Sequence, residues 1–175
     1  MQKKLPKVYL FIENFIPSEL NLLNKDVSII LRNYKKTICD SEIIALNTYC
    51  KSHKRELYLA NDIKRALKHN LSGAYIPSFN NKLNLSAFSL PKNFTLLGSA
   101  HNHYQIRVKK LQGCSLVFLA PTFKVNKSKN YLGITKFNLL TLNYKSKFIA
   151  LGGVNESTIK KVGLLRCVGY SGISW

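Results

Sequence analysis

Acid is what this chain has least of. Its 175 residues hold 8 aspartates and glutamates against 27 lysines and arginines, a formal net charge of +19, and the only aspartates are Asp26, Asp40 and Asp62. Such an excess suits a polyanionic partner, because clustered cations release counterions from a phosphate backbone. The distribution argues against a dedicated nucleic-acid protein. Arginine occurs only at Arg32, Arg55, Arg65, Arg107 and Arg166, and the lysines are strewn among asparagines and isoleucines, as an AT-rich coding sequence would produce. A basic surface that steers small anions to a site accounts for part of the charge as well. Long apolar runs are also missing: the one behind the basic MQKKLPK ends at Glu13, too short for a secretory signal or a membrane span, so a soluble, cytoplasmic protein is expected. Cys39, Cys50, Cys114 and Cys167 show no C-x-x-C spacing, and reduced structural thiols are expected. No repeat, low-complexity tract or linker breaks the chain, and a single domain over 1–175 follows.

What is present is a rhythm. Apolar runs of strand length recur at 8–12, 27–31, 56–60, 73–76, 95–100, 114–119, 147–151 and 168–173, and they are continuous rather than alternating, as in parallel strands buried on both faces. Helix-like segments separate most of them, at 40–53, 62–70, 103–112, 132–143 and 155–165. His53 and His69 fall on helices and are expected at the surface. The pattern predicts a shortened parallel (β/α)8 barrel of the TIM type. Its helical layer should be thin at the first, fourth and eighth connections, with no helix after the last strand.

The last segment, KFIALGGVNESTIKKVGLLRCVGYSGISW, reads as strand, glycine pair, short helix, strand. Gly152 and Gly153 lack β-carbons and would let backbone approach an anion, and Asn155 suits an N-cap whose helix would aim its first N–H groups the same way. The alternative is that the glycines only end a strand.

Five segments in order resemble the thiamine-phosphate synthase and TenI-type family of (β/α)8 barrels. IALGGVN (149–155) resembles its A-I-G-G-I-N phosphate loop, LLGSAHN (96–102) its L-G-V-S-x-H strand end and LVFLAPTF (116–123) its G-P-V-F-x-T strand end. LYLANDIKRALKHNLSGAYIP (57–77) resembles N-D-x-x-x-A-L-x-x-x-A-D-G-V-H-L-G, and VGYSGIS (168–174) the final strand with its serine. The resemblance implies a thiamine biosynthesis enzyme, a transferase in which a hydroxymethylpyrimidine diphosphate loses pyrophosphate with Mg2+ assistance and a thiazole phosphate captures the cation. It implies Asp62 and Asn80 at the metal and Asn61 and Ser99 at the diphosphate. Gly152, Gly153 and Ser174 then hold the thiazole phosphate, with Arg32 on the arginine of a Q-x-R-x-K motif.

The departures from that pattern are specific. Ile30 and Tyr34 stand where the motif has glutamine and lysine, and Asn80 where the second metal aspartate stands. The T-x-T-K loop becomes 125–128, leaving Lys127 and Lys129 out of register as either a basic lid or a solvated loop, and Pro121 occupies the TenI-type histidine position. Other residues carry two readings. His101 is either an acid/base group or a structural hydrogen-bonding histidine, and Asp62 either a metal ligand or a helix cap. Arg32, at a strand end, asks for an anion. A non-catalytic phosphate-ligand binder on the same barrel is the alternative function, and a homo-oligomer would cover any exposed strand face.

Overall fold

The computed structural model describes residues 7–24, 26–84, 89–126 and 130–172. Eight strands, β1 (Val8–Ile12), β2 (Val27–Leu31), β3 (Leu57–Ala60), β4 (Gly73–Ile76), β5 (Thr95–Ala100), β6 (Leu116–Leu119), β7 (Lys147–Leu151) and β8 (Gly169–Gly172), close into a barrel in chain order. Every neighbouring pair is parallel, and closure comes from β8 lying along β1, with Tyr9 beside Ser171. Parallel neighbours need crossovers, and these carry α1 (Pro17–Asn21), α2 (Asp40–Ser52), α3 (Ile63–Lys68), α4 (His103–Leu111), α5 (Gly133–Thr141) and α6 (Ile159–Val162). The expected barrel is present, and its helical layer is thin where expected at the first connection, where α1 has five residues, and at the fourth, which has no helix among the described residues. In the seventh connection α6 has only four residues against the helix expected over 155–165, and the eighth connection lies outside the described residues.

Alternate strand residues fill the barrel interior: Tyr9, Phe11, Ile30, Tyr58, Tyr75, Leu97, Leu116, Phe118, Ile149 and Leu151. Phe118 sits at the centre, edge-on to Tyr9 at 5.1 Å and to Phe11 and Tyr75 at 5.7 Å, contacts worth about 0.5–1.5 kcal/mol each beyond their burial. The other strand face packs on the helices in two clusters, one under α1–α3 and one under α4–α6. Because both faces are covered, strand residues of either parity are apolar.

Two charged groups brace the first half. Buried Arg55 donates from Nη1 to the carbonyls of Asn24 (2.6 Å) and Val27 (3.1 Å) and from Nη2 to Leu23 (2.9 Å), tying the β2 entry to the β3 entry. Asp40 on α2 receives Lys68 at 2.7 Å and Arg65 at 2.6 Å from α3, and His69 Nε2 at the α3 C-cap lies 3.1 Å from the same carboxylate without meeting hydrogen-bond geometry. Those partners, Lys68 first and then Arg65, hold its carboxyl far below the usual range. His69, expected at the surface, has a side chain only 10% exposed because it joins this knot.

The helix after the glycine pair also differs from expectation. Asn155 does not cap it. Its Oδ1 accepts from Ser157 and Thr158 N–H at 3.0 and 3.2 Å, an Asx turn, and α6 begins only at Ile159. Ser157 and Thr158 favour such local side-chain bonds over helix, and Gly163 ends the element after one turn. The helix-dipole contribution to a phosphate site therefore drops out. All four cysteines are free thiols, with Cys50 and Cys114 buried, Cys167 partly buried and Cys39 exposed.

Candidate active site at the barrel mouth

With all strands parallel, every strand end carrying a motif opens on one mouth. Arg32 follows β2 directly, its N–H bonded to the Ile12 carbonyl at 2.8 Å. Its guanidinium lies 4.5 Å from the Phe11 ring centroid and 5.9 Å from that of Tyr34. Below it is the Tyr75 hydroxyl, whose pKa burial raises while Ser99 and Arg32 pull it the other way. Among the described residues the ion pairs all converge on Asp40, so no described carboxylate neutralises Arg32. Half-buried cations want an anion, and this one faces a hydroxyl and two rings.

Asn61, Asp62 and Asn80 line one cavity of about 540 Å³ together with Phe79, Lys64 and Lys82. Asn61 sits at φ +59, a conformation asparagine tolerates, and its N–H bonds the Tyr75 carbonyl at 2.7 Å. Its Oδ1 accepts from Asn80 Nδ2 at 2.8 Å, and Asn80 Oδ1 accepts from Lys82 N–H at 3.0 Å. Asp62 Oδ1 accepts from Arg65 N–H at 3.0 Å, which makes it the cap of α3.

This donor set does not fit a resident Mg2+. The ion wants hard oxygens in near-ideal octahedral geometry, usually from one or two carboxylates plus substrate phosphates. Here a single carboxylate is present and one of its oxygens caps a helix, while both amide oxygens are already acceptors and two lysines line the same wall. No group of three or more histidines, cysteines or acids that could hold a metal exists among the described residues. The expectation of Asp62 and Asn80 as metal ligands thus meets an arrangement built for hydrogen bonding.

A lysine that sequence reasoning missed holds that arrangement. Lys109 is fully buried on α4, and its Nζ donates to the Asn80 carbonyl at 2.7 Å and to Gln112 Oε1 at 2.8 Å. Gln112 Nε2 in turn donates to the Asn80 and Lys82 carbonyls, both at 2.9 Å, so the two side chains together pin the loop after β4. Desolvation brings Lys109 down to about 8. The only sequence signal was that Ile106 and Lys109 share a helix face at i and i+3; the room for the lysine stem comes from Gly98 on β5, where a β-carbon would lie 2.8 Å from Lys109 Cδ.

His101 follows β5, and its Nδ1 lies 2.6 Å from the Ala120 carbonyl. A carbonyl only accepts, so Nδ1 carries the hydrogen and Nε2 is the basic nitrogen. The structural bond and the acid/base reading are therefore compatible. Ser99 is buried in β5 against Tyr75. At the end of β7, Gly152 (φ +87) and Gly153 (φ +71) turn the chain against the segment after β6, where a β-carbon on Gly153 would lie 2.6 Å from the Lys124 carbonyl oxygen. Packing alone demands that glycine. Lys127, Lys129 and Ser174 lie outside the described residues.

Fold and site together define a (β/α)8 barrel with a cationic, polar C-terminal mouth. No family model matches the chain. Over 154 residues it is 27% identical to the thiamine-phosphate synthase of Prochlorococcus marinus, covering 84% of this chain and 44% of that protein. The chain thus spans less than half the length of that relative. Among solved structures it superposes on the thiamine phosphate pyrophosphorylase of Pyrococcus furiosus with a TM-score of 0.71 at 11% identity, covering 96% of this chain and 85% of that one. The putative copper homeostasis protein CutC of Streptococcus agalactiae gives 0.72 at 16% identity, covering 97% and 99%. At such identities these superpositions speak to the barrel alone. In sequence, most of this chain is similar to one thiamine-phosphate synthase, the same direction in which its five segments point.

Proposed function

We propose that this chain acts in thiamine biosynthesis as one barrel domain that binds the phosphate esters handled by its relatives at the mouth. The observation that carries the reading is Arg32, a half-buried guanidinium at the arginine position of the family motif with no described carboxylate beside it. In this reading Arg32 orients the leaving phosphate, and His101, fixed through Nδ1 at the Ala120 carbonyl, leaves Nε2 to hydrogen-bond the ligand. The backbone at Gly152 and Gly153, with Ser174, holds the second phosphate, and Asn61 and Ser99 hydrogen-bond the first. Coupling of a pyrimidine diphosphate to thiazole phosphate is the full activity. Asn61, Asp62 and Asn80 do not supply the carboxylate oxygens that a metal-assisted departure of pyrophosphate needs.

A second reading, a binder or TenI-like protein that holds thiazole or thiamine phosphate without coupling, is favoured by the amide pair where two carboxylates would serve a metal. Calorimetric titration with thiazole phosphate, thiamine phosphate and pyrophosphate, with and without Mg2+, tests both. Saturable binding of a thiazole or thiamine ester is expected. Growth rescue of a synthase-deficient bacterium would support coupling, and binding without rescue would favour the binder. Absence of binding by all three ligands would sink both. No helix among the described residues is long and apolar enough to cross a membrane.

A further inference from the structure

We propose that the β2–β4 side of the mouth is a clamp for a planar aromatic anion, in which Arg32 takes the charge, Tyr34 and Phe79 face the ring, and no divalent cation takes part. This rests on the reading of the mouth as a phosphate-ester site and adds which residues choose the ligand.

Tyr34 and Phe79 come from different loops, after β2 and after β4, yet their rings meet edge to face at 5.5 Å and 73°. Both are largely exposed, at 53% and 62%, which leaves ring surface for an incoming partner. Cavities flank the pair on either side. Phe79 lines the one of about 540 Å³ and Tyr34 another of about 320 Å³, and Asn61 and Asp62 belong to both.

The neighbouring cation completes the arrangement. A guanidinium stacked on an aromatic face keeps its edge N–H groups for a phosphate or carboxylate. Lys35 and Lys36 add to the positive field: both line the Tyr34 cavity, in a turn that Asn33 Oδ1 closes by accepting their backbone N–H groups at 3.0 and 3.1 Å. Opposite charge steers an anion here, and a flat ring on that anion gains the aromatic wall.

Two residues that depart from the resembled pattern stand here: Tyr34 is at the lysine position of the arginine motif, and Asn80, at a carboxylate position, bonds Asn61 through its amide. The buried Lys109 and Gln112 hold the loop carrying Phe79 and Asn80 in place by hydrogen bonds, without an ion bridging it to Asp62.

The test is calorimetric binding of hydroxymethylpyrimidine diphosphate, thiazole phosphate and inorganic pyrophosphate to the full chain and to Tyr34→Ala, Phe79→Ala and Arg32→Gln, each in EDTA and in Mg2+. At least one heterocycle should bind equally well in both buffers. Each aromatic truncation should weaken that ligand about tenfold, as loss of a stacking face does; pyrophosphate affinity should stay unchanged in Phe79→Ala and fall less than that of the heterocycle in Tyr34→Ala, whose ring also flanks Arg32. Arg32→Gln should weaken all anions. A requirement for Mg2+, or heterocycle affinities untouched by Tyr34→Ala and Phe79→Ala, would overturn the clamp while leaving the phosphate-ester reading standing. Pyrophosphate binding with no heterocycle binding would also overturn it, and no binding of any probe would overturn both.

Discussion

The two sides of the mouth hold their shape for different reasons. At the end of β7 the backbone is confined by packing, because Gly153 at φ +71 lies so close to residues 123 and 124 that no side chain fits. On the β2–β4 side, side chains do the holding: Asp62 caps a helix, Asn61 and Asn80 bond each other, and rings flank Arg32. The glycine pair therefore says less about ligand binding than its likeness to a phosphate loop suggests, since steric need alone demands it. Asn61, Asp62 and Asn80 say more, because their side chains form a self-satisfied network.

Gly153→Val should break this comparison most severely. A β-branched residue at positive φ costs about 1–3 kcal/mol in strain, and contact with the Phe123 and Lys124 backbone adds to it, for a loss of about 4 kcal/mol in urea unfolding. The substitution is a test of packing, so phosphate binding at this loop is better read from amide shifts of Gly152 and Gly153 during phosphate titration. A Gly153→Val protein as stable as the parent would mean that the turn is looser than its contacts imply.

Two arginines sharpen the contrast next. Arg55→Met would strip hydrogen bonds from three carbonyls at the β2 entry and should cost about 2–3 kcal/mol of stability. Arg32→Met should cost less than about 0.5 kcal/mol of stability but weaken pyrophosphate by about tenfold or more, since charge-assisted bonds contribute about 1.5–3 kcal/mol. Equal stability losses in the two variants would show that Arg32 is a structural brace like Arg55.

Lys109 gives a smaller, pH-dependent effect. Its pKa falls from 10.5 to about 8 in the fold, so between those values the unfolded chain binds more protons and stability should rise with pH. Cys114 beside it, pushed up to about 12, acts in the opposite sense above its ordinary value. The readout is therefore the difference between parent and Lys109→Met in denaturant melts from pH 7 to 10.5, expected to be on the order of 2 kcal/mol. A flat difference would mean that the ammonium is not desolvated.

Strands were legible because both their faces are covered. β1, β2, β4, β5 and β7 have the bounds of their apolar runs, and β3, β6 and β8 are shorter by one or two residues at their ends. The strand ends that carry the described motif residues share one mouth because a closed parallel barrel brings them together. What was hidden depended on partners distant in sequence. Lys109-Lys110 reads as a solvated charge pair until Gly98 and the Asn80 carbonyl are found over Lys109, and His69 reads as surface until Asp40 arrives from another helix. Asn155 was misread for a local reason: the same side-chain oxygen that caps helices also builds an Asx turn.

The smallest effect is the most discriminating. If Asp62 serves only to cap α3, Asp62→Asn should change stability by no more than about a few tenths of a kcal/mol, because asparagine caps about as well as aspartate. If it ligates a metal, the same substitution removes the only carboxylate among Asn61, Asp62 and Asn80 and should abolish any Mg2+ enhancement of ligand binding. Asp62→Ala calibrates the scale at about 1 kcal/mol for the lost cap. Pyrophosphate titrations of the parent and both variants, with Mg2+ and with EDTA, should agree within error for Asp62→Asn. A variant that keeps its melting temperature yet loses affinity only when Mg2+ is present would return Asp62 to the metal and make the two sides of the mouth more alike than their geometry indicates.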